Sequence, residues 1–371
     1  MYGNLRGFGG AKTGSRRKVS RIRQAVEAII DRIPAGECLN IMEVCGTHTM
    51  AIAQMGIREL LGDKVRLVSG PGCPVCVTSD GDILRSLALA EEPDVIVATF
   101  GDMVRVPMNN RSLFSAKAEG ADVRIVYSPD DALKIAIENP RKKVVFLAVG
   151  FETTIPTIAG SIVESHEAGI SNYAILPMMK VVPPALRLLC EHPLLQIDGF
   201  ILPGHVSTII GTEVYNFIAS EFGIPGVITG FTDNDIADSL LLLSDMITSG
   251  EARIINSYRR AVSAKGNIAA QRLIEKVFEP ADAFWRGIGE FPASGLGLRE
   301  EFAQFDIRNH MILPNDEPPS DPRCRCGEVI LGRILPTECP RFGTLCTPEN
   351  PLGPCMVSSE GACAAYYKYR Q

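Results

Sequence analysis

The sequence predicts an α/β protein: two parallel-sheet domains facing a cleft, followed by a small, loop-rich C-terminal domain. Three observations predict it. Short apolar, β-branched runs alternate with stretches of helical spacing through the first two-thirds of the chain, the pattern of parallel sheets covered by helices. Several of those runs end in loops that carry cysteine, histidine or glutamate. Beyond residue 320 the pattern stops, and six of the eleven cysteines gather among prolines and glycines.

The chain opens on a basic run, Arg6, Lys12, Arg16, Arg17, Lys18, Arg21 and Arg23, with no acid among them. We expect residues 1–20 to form a mobile arm. Ile22, Val26, Ile29, Ile30 and Ile33 then fall at helical spacing, and Pro34 with Gly36 closes that helix. The run 39–44 reads as a buried strand that delivers Cys45-Gly46-Thr47-His48-Thr49 to its carboxyl end. A helix is expected over 50–61, and a second strand, 65–69, runs into Gly70-Pro71-Gly72-Cys73-Pro74-Val75-Cys76. Strands at 94–100 and 123–127 complete a first α/β domain over 21–130. Strands at 143–149, 173–177, 199–203 and 227–230 suggest a second over 131–260. The strand-then-loop unit recurs at Gly150-Phe151-Glu152-Thr153-Thr154 and Gly204-His205-Val206-Ser207. Ligands of such sheets bind beyond the carboxyl ends of the strands, so the cleft between the domains is where chemistry is expected. Helical spacing at 236–243 and 268–278 leads into a C-terminal domain over 261–371.

Composition bounds the function. A net charge of −6 argues against a nucleic-acid or membrane-surface partner. No stretch reaches the roughly eighteen apolar residues of a membrane span, and the basic start lacks a signal's apolar core. A cytoplasmic location is expected, where thiols stay reduced and can hold metals.

The tail cysteines are Cys324, Cys326, Cys339, Cys346, Cys355 and Cys363. Compartment argues against a disulfide framework. Their spacing lacks the paired C-x2-C of zinc ribbons, which places an iron–sulfur cluster ahead of structural zinc and leaves two thiols beyond the four a cluster takes. The region has too little apolar material for a core of its own, so bound ligands would supply the missing constraint. Cys73 and Cys76 form a C-x-x-C able to close a disulfide or hold half a metal site; thiol–disulfide exchange is the favoured reading. Cys45 and His48 place a thiolate and an imidazole three residues apart, donors suited to iron. Glu152 and His205 set ionisable groups in the expected cleft, where they could hold or protonate a ligand. Cys38 and Cys190 read as small buried hydrophobes.

The segments Cys45-Gly46-Thr47-His48-Thr49, Gly70-Pro71-Gly72-Cys73-Pro74-Val75-Cys76, Pro203-Gly204-His205-Val206-Ser207 and Gly361-Ala362-Cys363-Ala364-Ala365-Tyr366-Tyr367 together resemble the HypD family of NiFe-hydrogenase maturation proteins. The resemblance spans the chain after the basic arm. It implies two Rossmann-like domains and a C-terminal domain with a 4Fe-4S cluster. It also implies a complex with a HypC-type chaperone, on which iron bearing two cyanides and one carbon monoxide is assembled. A HypE-type protein would donate cyanide, and the hydrogenase large subunit would receive the centre. Cys45 would then ligate that iron jointly with a chaperone cysteine, with Cys73 and Cys76 as a thiol relay. The cluster surroundings in this family are similar to those of ferredoxin:thioredoxin reductase. That similarity implies Cys324, Cys339, Cys346 and Cys363 as cluster ligands and Cys326 with Cys355 as a redox pair. Two other readings are an independent iron–sulfur thiol–disulfide reductase and a zinc-stapled adaptor.

Overall fold

A computed structural model describes residues 11–192 and 196–369. Nine strands lie in two parallel sheets: β1 (Leu39–Glu43), β2 (Val65–Ser69), β3 (Val95–Thr99), β4 (Val123–Ile125), β5 (Lys143–Ala148), β6 (Tyr173–Pro177), β7 (Gly199–Leu202), β8 (Gly226–Ile228) and β9 (Ile254–Asn256). One sheet runs β2-β1-β7-β8-β9 and the other β4-β3-β5-β6. The fold class is the expected one, two parallel-sheet units of Rossmann-like type. β3, inside its sheet, and β6, at the sheet's edge, are both buried at every position, which is why they read as unbroken apolar runs.

The strands are not shared out in chain order. The chain lays down β1 and β2, leaves to build the whole four-stranded sheet, and returns with β7 beside β1, pairing Ile41 with Gly199 and Glu43 with Ile201. A division at 130/131 would cut the four-stranded sheet between β4 and β5. Segments 21–130 and 131–260 therefore do not correspond to the two sheets. Strand existence is a local property, whereas sheet membership is set by pairing across more than a hundred residues, on which the local pattern is silent.

The first described helix, Ala11–Arg32, runs without a break across the expected end of the basic arm, and residues 1–10 lie outside the described residues. Ile22, Val26 and Ile29 bury against Ile41 and against Leu240 and Leu243 of the helix Asp233–Ser249. The expected helix over 50–61 is two helices, Gly46–Met55 and Ile57–Leu61, because Gly56 adopts a left-handed φ of 65° and caps the first. Capping boxes at Ser128 with Asp131 and at Thr232 with Asp235 fix two other helix starts.

A hairpin of β10 (Phe278–Trp285) and β11 (Gly289–Leu298) occupies a stretch the sequence pattern left without strands. Pro280, Asp282 and the alternating burial of β10 hide it from a search for continuous apolar runs. Its tip packs beside the Cys76 loop: Trp285 is 1% exposed and bridges to Thr78, and Arg286 N–H donates to Val77 O at 3.0 Å. The cysteine-rich tail has no separate core. Cys326, Cys355, Met356 and Cys363 sit in the same apolar cluster as Cys73, Cys76 and Leu202. Among the described residues no helix is long and apolar enough to cross a membrane.

Candidate functional site

Three loops meet at the carboxyl ends of β1, β2 and β7. The first leaves β1 at Cys45, whose extended backbone (φ −156°, ψ 122°) caps the helix Gly46–Met55. The second leaves β2 and carries Cys73 and Cys76, joined as a disulfide with their Cα atoms 5.2 Å apart. They are locked together by backbone: Gly46 N–H donates to Gly72 O at 3.0 Å, and a β-carbon on Gly72 would lie 2.5 Å from Cys45 Cα. Only glycine fits there.

The third loop comes from the tail. Thr47 hydroxyl donates to Glu360 Oε1 at 2.8 Å, and Gly46 packs so closely on Glu360 that a β-carbon would lie 2.5 Å from Glu360 Cβ. Two residues earlier, Ser358 Oγ lies 3.4 Å from Cys73 Sγ and donates to Asp102 Oδ2 at 2.9 Å. The segment between Cys355 and Cys363 thus touches both the Cys45 loop and the disulfide. Local pattern gave no sign of Glu360 or Asp102, since a single acid in an irregular loop has no periodicity to mark it.

His48 is wholly buried. Its Nε2–H donates to Gly230 O at 3.0 Å, which leaves Nδ1 with its lone pair and no partner. Burial holds its pKa down at about 4, so the ring is neutral near pH 7, the form that ligates metals. The ring stacks on Phe231, with centroids 4.5 Å apart, and Phe231 stacks in turn on His205 at 4.0 Å. His205 forms the exposed end of this stack. Phe231 directly follows the expected strand 227–230, and extending the strand-then-loop rule by one residue would have found it. Burial pushes the Cys45 thiol up to about 11, against the opposing pull of the His48 and Thr47 N–H groups. A bound cation reverses that balance, because a coordinated thiol gives up its proton.

Glu152, after β5, is a further buried ionisable group. Its Oε1 accepts Val182 N–H at 2.8 Å while Oε2 has no partner, and burial raises its pKa to about 7. Burial also raises Tyr215, and the charges of Glu152 and Cys45 push it the same way.

The tail thiols form a second centre. Cys324, Cys326, Cys339, Cys346 and Cys363 line one cavity with Val329, Phe342 and Met356, while Cys355 is fully buried and lines none of it. The sulfurs of Cys324 and Cys326 are 3.1 Å apart, and Cys363 is raised first by its hydrogen bond with Cys326. All six are free thiols. Among the described residues no three His, Cys, Asp or Glu side chains are placed to hold a single ion. A cage cofactor makes a different demand, since its thiolates spread around a cavity, and soft donors lining an apolar cavity suit an iron–sulfur cluster on that ground. Of the remaining cysteines Cys190 is half-buried and Cys38 is exposed, so Cys38 is not the buried hydrophobe expected of it.

Comparison with known proteins gives one family. Residues 19–370 match the model of the HypD family, described as a hydrogenase formation family. The chain is 45% identical over 361 residues to the hydrogenase maturation factor HypD of Escherichia coli, covering 96% of this chain and 97% of that one. It is 46% identical over 342 residues to HypD of Cupriavidus necator, 90% of each chain. A putative hydrogenase expression/formation protein of Methanocaldococcus jannaschii is 41% identical over 350 residues, 94% of this chain and 97% of that protein. Cys45, the Cys73–Cys76 disulfide and the tail cysteines all fall within the matched span, and the chain belongs to the HypD family of hydrogenase maturation factors.

Proposed function

We propose that this chain is the platform on which, with a HypC-type chaperone, iron receives two cyanides and one carbon monoxide before transfer to a hydrogenase large subunit. A HypE-type protein supplies the cyanide, and the work takes place in the cytoplasm. The observation that carries this reading is the interlock of Gly46 and Gly72, which sets a buried thiol and a disulfide side by side.

Iron is the cargo here. Cys45 binds it as thiolate, a strong anionic donor, and binding releases the thiol proton. His48, neutral and with Nδ1 open, steadies that iron directly or through its surroundings. Cys73 and Cys76 exchange two electrons between dithiol and disulfide beside it. Glu152 and His205 hold or move protons. Cys324, Cys339, Cys346 and Cys363 would hold a 4Fe-4S cluster, with Cys326 and Cys355 as the accompanying thiols. When bound, that cluster supplies one-electron transfer.

The test is the infrared spectrum of the protein purified with its small chaperone. Bands of iron-bound cyanide and carbon monoxide are expected in the native complex and absent from Cys45→Ser, which keeps chaperone binding and visible absorbance. His48→Ala should weaken the centre by about 10- to 100-fold, the usual cost of losing a supporting group. Normal bands in Cys45→Ser would remove Cys45 from the iron. Thiol–disulfide turnover in a native complex that never shows such bands would favour the reductase reading.

A further inference from the structure

Cys73 and Cys76 are 5% and 1% exposed. Oxidising a dithiol there releases two electrons and two protons, and reducing the disulfide takes up the same. A thiolate left in so apolar a setting is costly, so the couple needs a route for protons as well as for electrons.

One polar chain leads from Cys73 toward solvent. Its sulfur is 3.4 Å from Ser358 Oγ, which donates to Asp102 Oδ2 at 2.9 Å. Asp102 is half-buried, on the 3-10 turn Gly101–Arg105 that follows β3. It is held in place by Ser359, whose N–H and hydroxyl both donate to the same oxygen, at 2.9 and 3.0 Å. Ser358 Oγ also accepts Glu360 N–H at 3.2 Å. A hydroxyl has one hydrogen and two lone pairs. With the hydrogen turned to Asp102 and one lone pair taken by Glu360, the second lone pair faces Cys73. In the disulfide that sulfur has no hydrogen to give; in the dithiol it has one.

We propose that Ser358 is a catalytic proton relay for the Cys73–Cys76 couple, with Asp102 as the positioning residue that orients it and exchanges the proton with solvent. This rests on reading the pair as redox-active. On oxidation by a disulfide reagent, Cys73 passes its proton to Ser358 as the Ser358 hydrogen moves to Asp102. The deprotonated sulfur attacks the reagent, its S–S bond breaks, and the freed reagent thiolate takes a proton from solvent; Cys76 then displaces the second half to close the Cys73–Cys76 bond, and its proton leaves on the second reagent thiol. Cys73 is the attacking sulfur because it meets the relay, accepts Cys76 N–H at 3.2 Å and is the less buried of the two. Reduction by a dithiol runs the same steps backward.

The test uses the full chain cycled between reduced and oxidised dithiothreitol, quenched by alkylation, with thiols counted by mass on the peptide that contains Cys73 and Cys76. Ser358→Ala and Asp102→Asn are expected to slow oxidation and reduction by the same factor. That factor is about 100-fold, the lower end of what a placed acid–base group contributes. The equilibrium position in a dithiothreitol buffer should not move, since a relay speeds both directions alike. The solvent-deuterium effect on the rate should fall away in both variants, and Ser358→Thr should restore rate and isotope effect. Unchanged rates, or a shifted equilibrium with unequal changes in the two rates, would mean that Ser358 only packs against the disulfide. Because the readout is the disulfide itself, this result stands or falls apart from the infrared test of iron assembly.

Discussion

Gly72 leaves no room for a side chain against Cys45: a β-carbon there would lie 2.3 Å from Cys45 N and 2.5 Å from Val44 C, both backbone atoms that cannot step aside. The disulfide loop and the Cys45 loop are therefore one rigid unit. Gly72→Ala is expected to lower stability by about 1–3 kcal/mol or more, the cost of overpacking a filled site. It should also expose Cys45, and faster alkylation of that thiol together with a lowered denaturant midpoint would check it. Stability and alkylation at native levels would mean that the two loops can part without cost.

Replacing Cys73 or Cys76 by serine should abolish hydrogenase maturation while leaving the fold intact, because serine is close to cysteine in size and the loop is also held by backbone hydrogen bonds from Gly46 N–H to Gly72 O and from Arg286 N–H to Val77 O. Maturation measured in cells that carry each variant, alongside thermal unfolding of the purified chain, separates the two effects. Full maturation with a single serine would end the relay reading.

Glu152 gives a pH signature. Its carboxyl is raised from 4.5 to about 7 by burial, so the folded chain holds a proton there that the unfolded chain has already released. Stability from this group is complete below about pH 4.5 and is lost as pH rises through about 7. At about 1.4 kcal/mol per pH unit the loss approaches about 3 kcal/mol. Glu152→Gln keeps the acceptor for Val182 N–H and carries no charge, so it should be more stable than the native chain at pH 8 and equal to it at pH 4.5. Denaturant titrations of both at several pH values would show parallel curves if Glu152 ionises freely.

Much of this architecture was legible locally. The runs that became β1 and β2 end at Cys45 and at Gly70, and nothing beyond apolar pattern and breakers was needed to see that Cys45, His48, Cys73 and Cys76 leave one sheet edge. What stayed hidden depended on distance along the chain. The return of β7 to β1 is decided by register over more than a hundred residues, and Glu360 acts only because the tail folds back onto Gly46. The hairpin was hidden for another reason: Pro280 and the glycines of β11 weaken its strand signal, and its burial comes from what it packs against.

The tail thiols carry a compositional prediction. Anaerobic preparations should be brown and contain iron and acid-labile sulfide in cluster stoichiometry, and Cys346→Ser should lose both. The tail shares its core with the sheet loops, so loss of the metal centre should lower the melting temperature of the whole chain. Stoichiometric zinc with neither iron nor sulfide would assign the tail to the adaptor reading.

Two residues before Cys45, Glu43 is fully buried at the end of β1, where Arg58 Nη2 donates to its Oε1 at 2.7 Å and Ser69 hydroxyl at 2.8 Å. Arg58 lies over the ring of Tyr366, 4.6 Å from its centroid, on the helix Ala362–Lys368 that also carries Cys363. The strand that presents Cys45 is thus tied to the helix that presents a tail thiol by one buried ion pair and one cation–π contact. Burial raises the Glu43 carboxyl against the opposing pull of Arg58, so the pair's Coulomb gain and its desolvation cost work against each other. Arg58→Ala strands the carboxylate and should cost about 3–5 kcal/mol, the range for breaking a buried pair. Glu43→Gln with Arg58→Met, which removes both charges and keeps the volume, should recover most of that loss while giving up the cation–π contact. A double-mutant cycle by chemical denaturation measures the coupling. If Arg58→Ala costs no more than the double variant, the ion pair contributes nothing to holding β1 against the tail, and contacts such as the Gly46 packing and the Thr47 hydrogen bond on Glu360 keep the two in register.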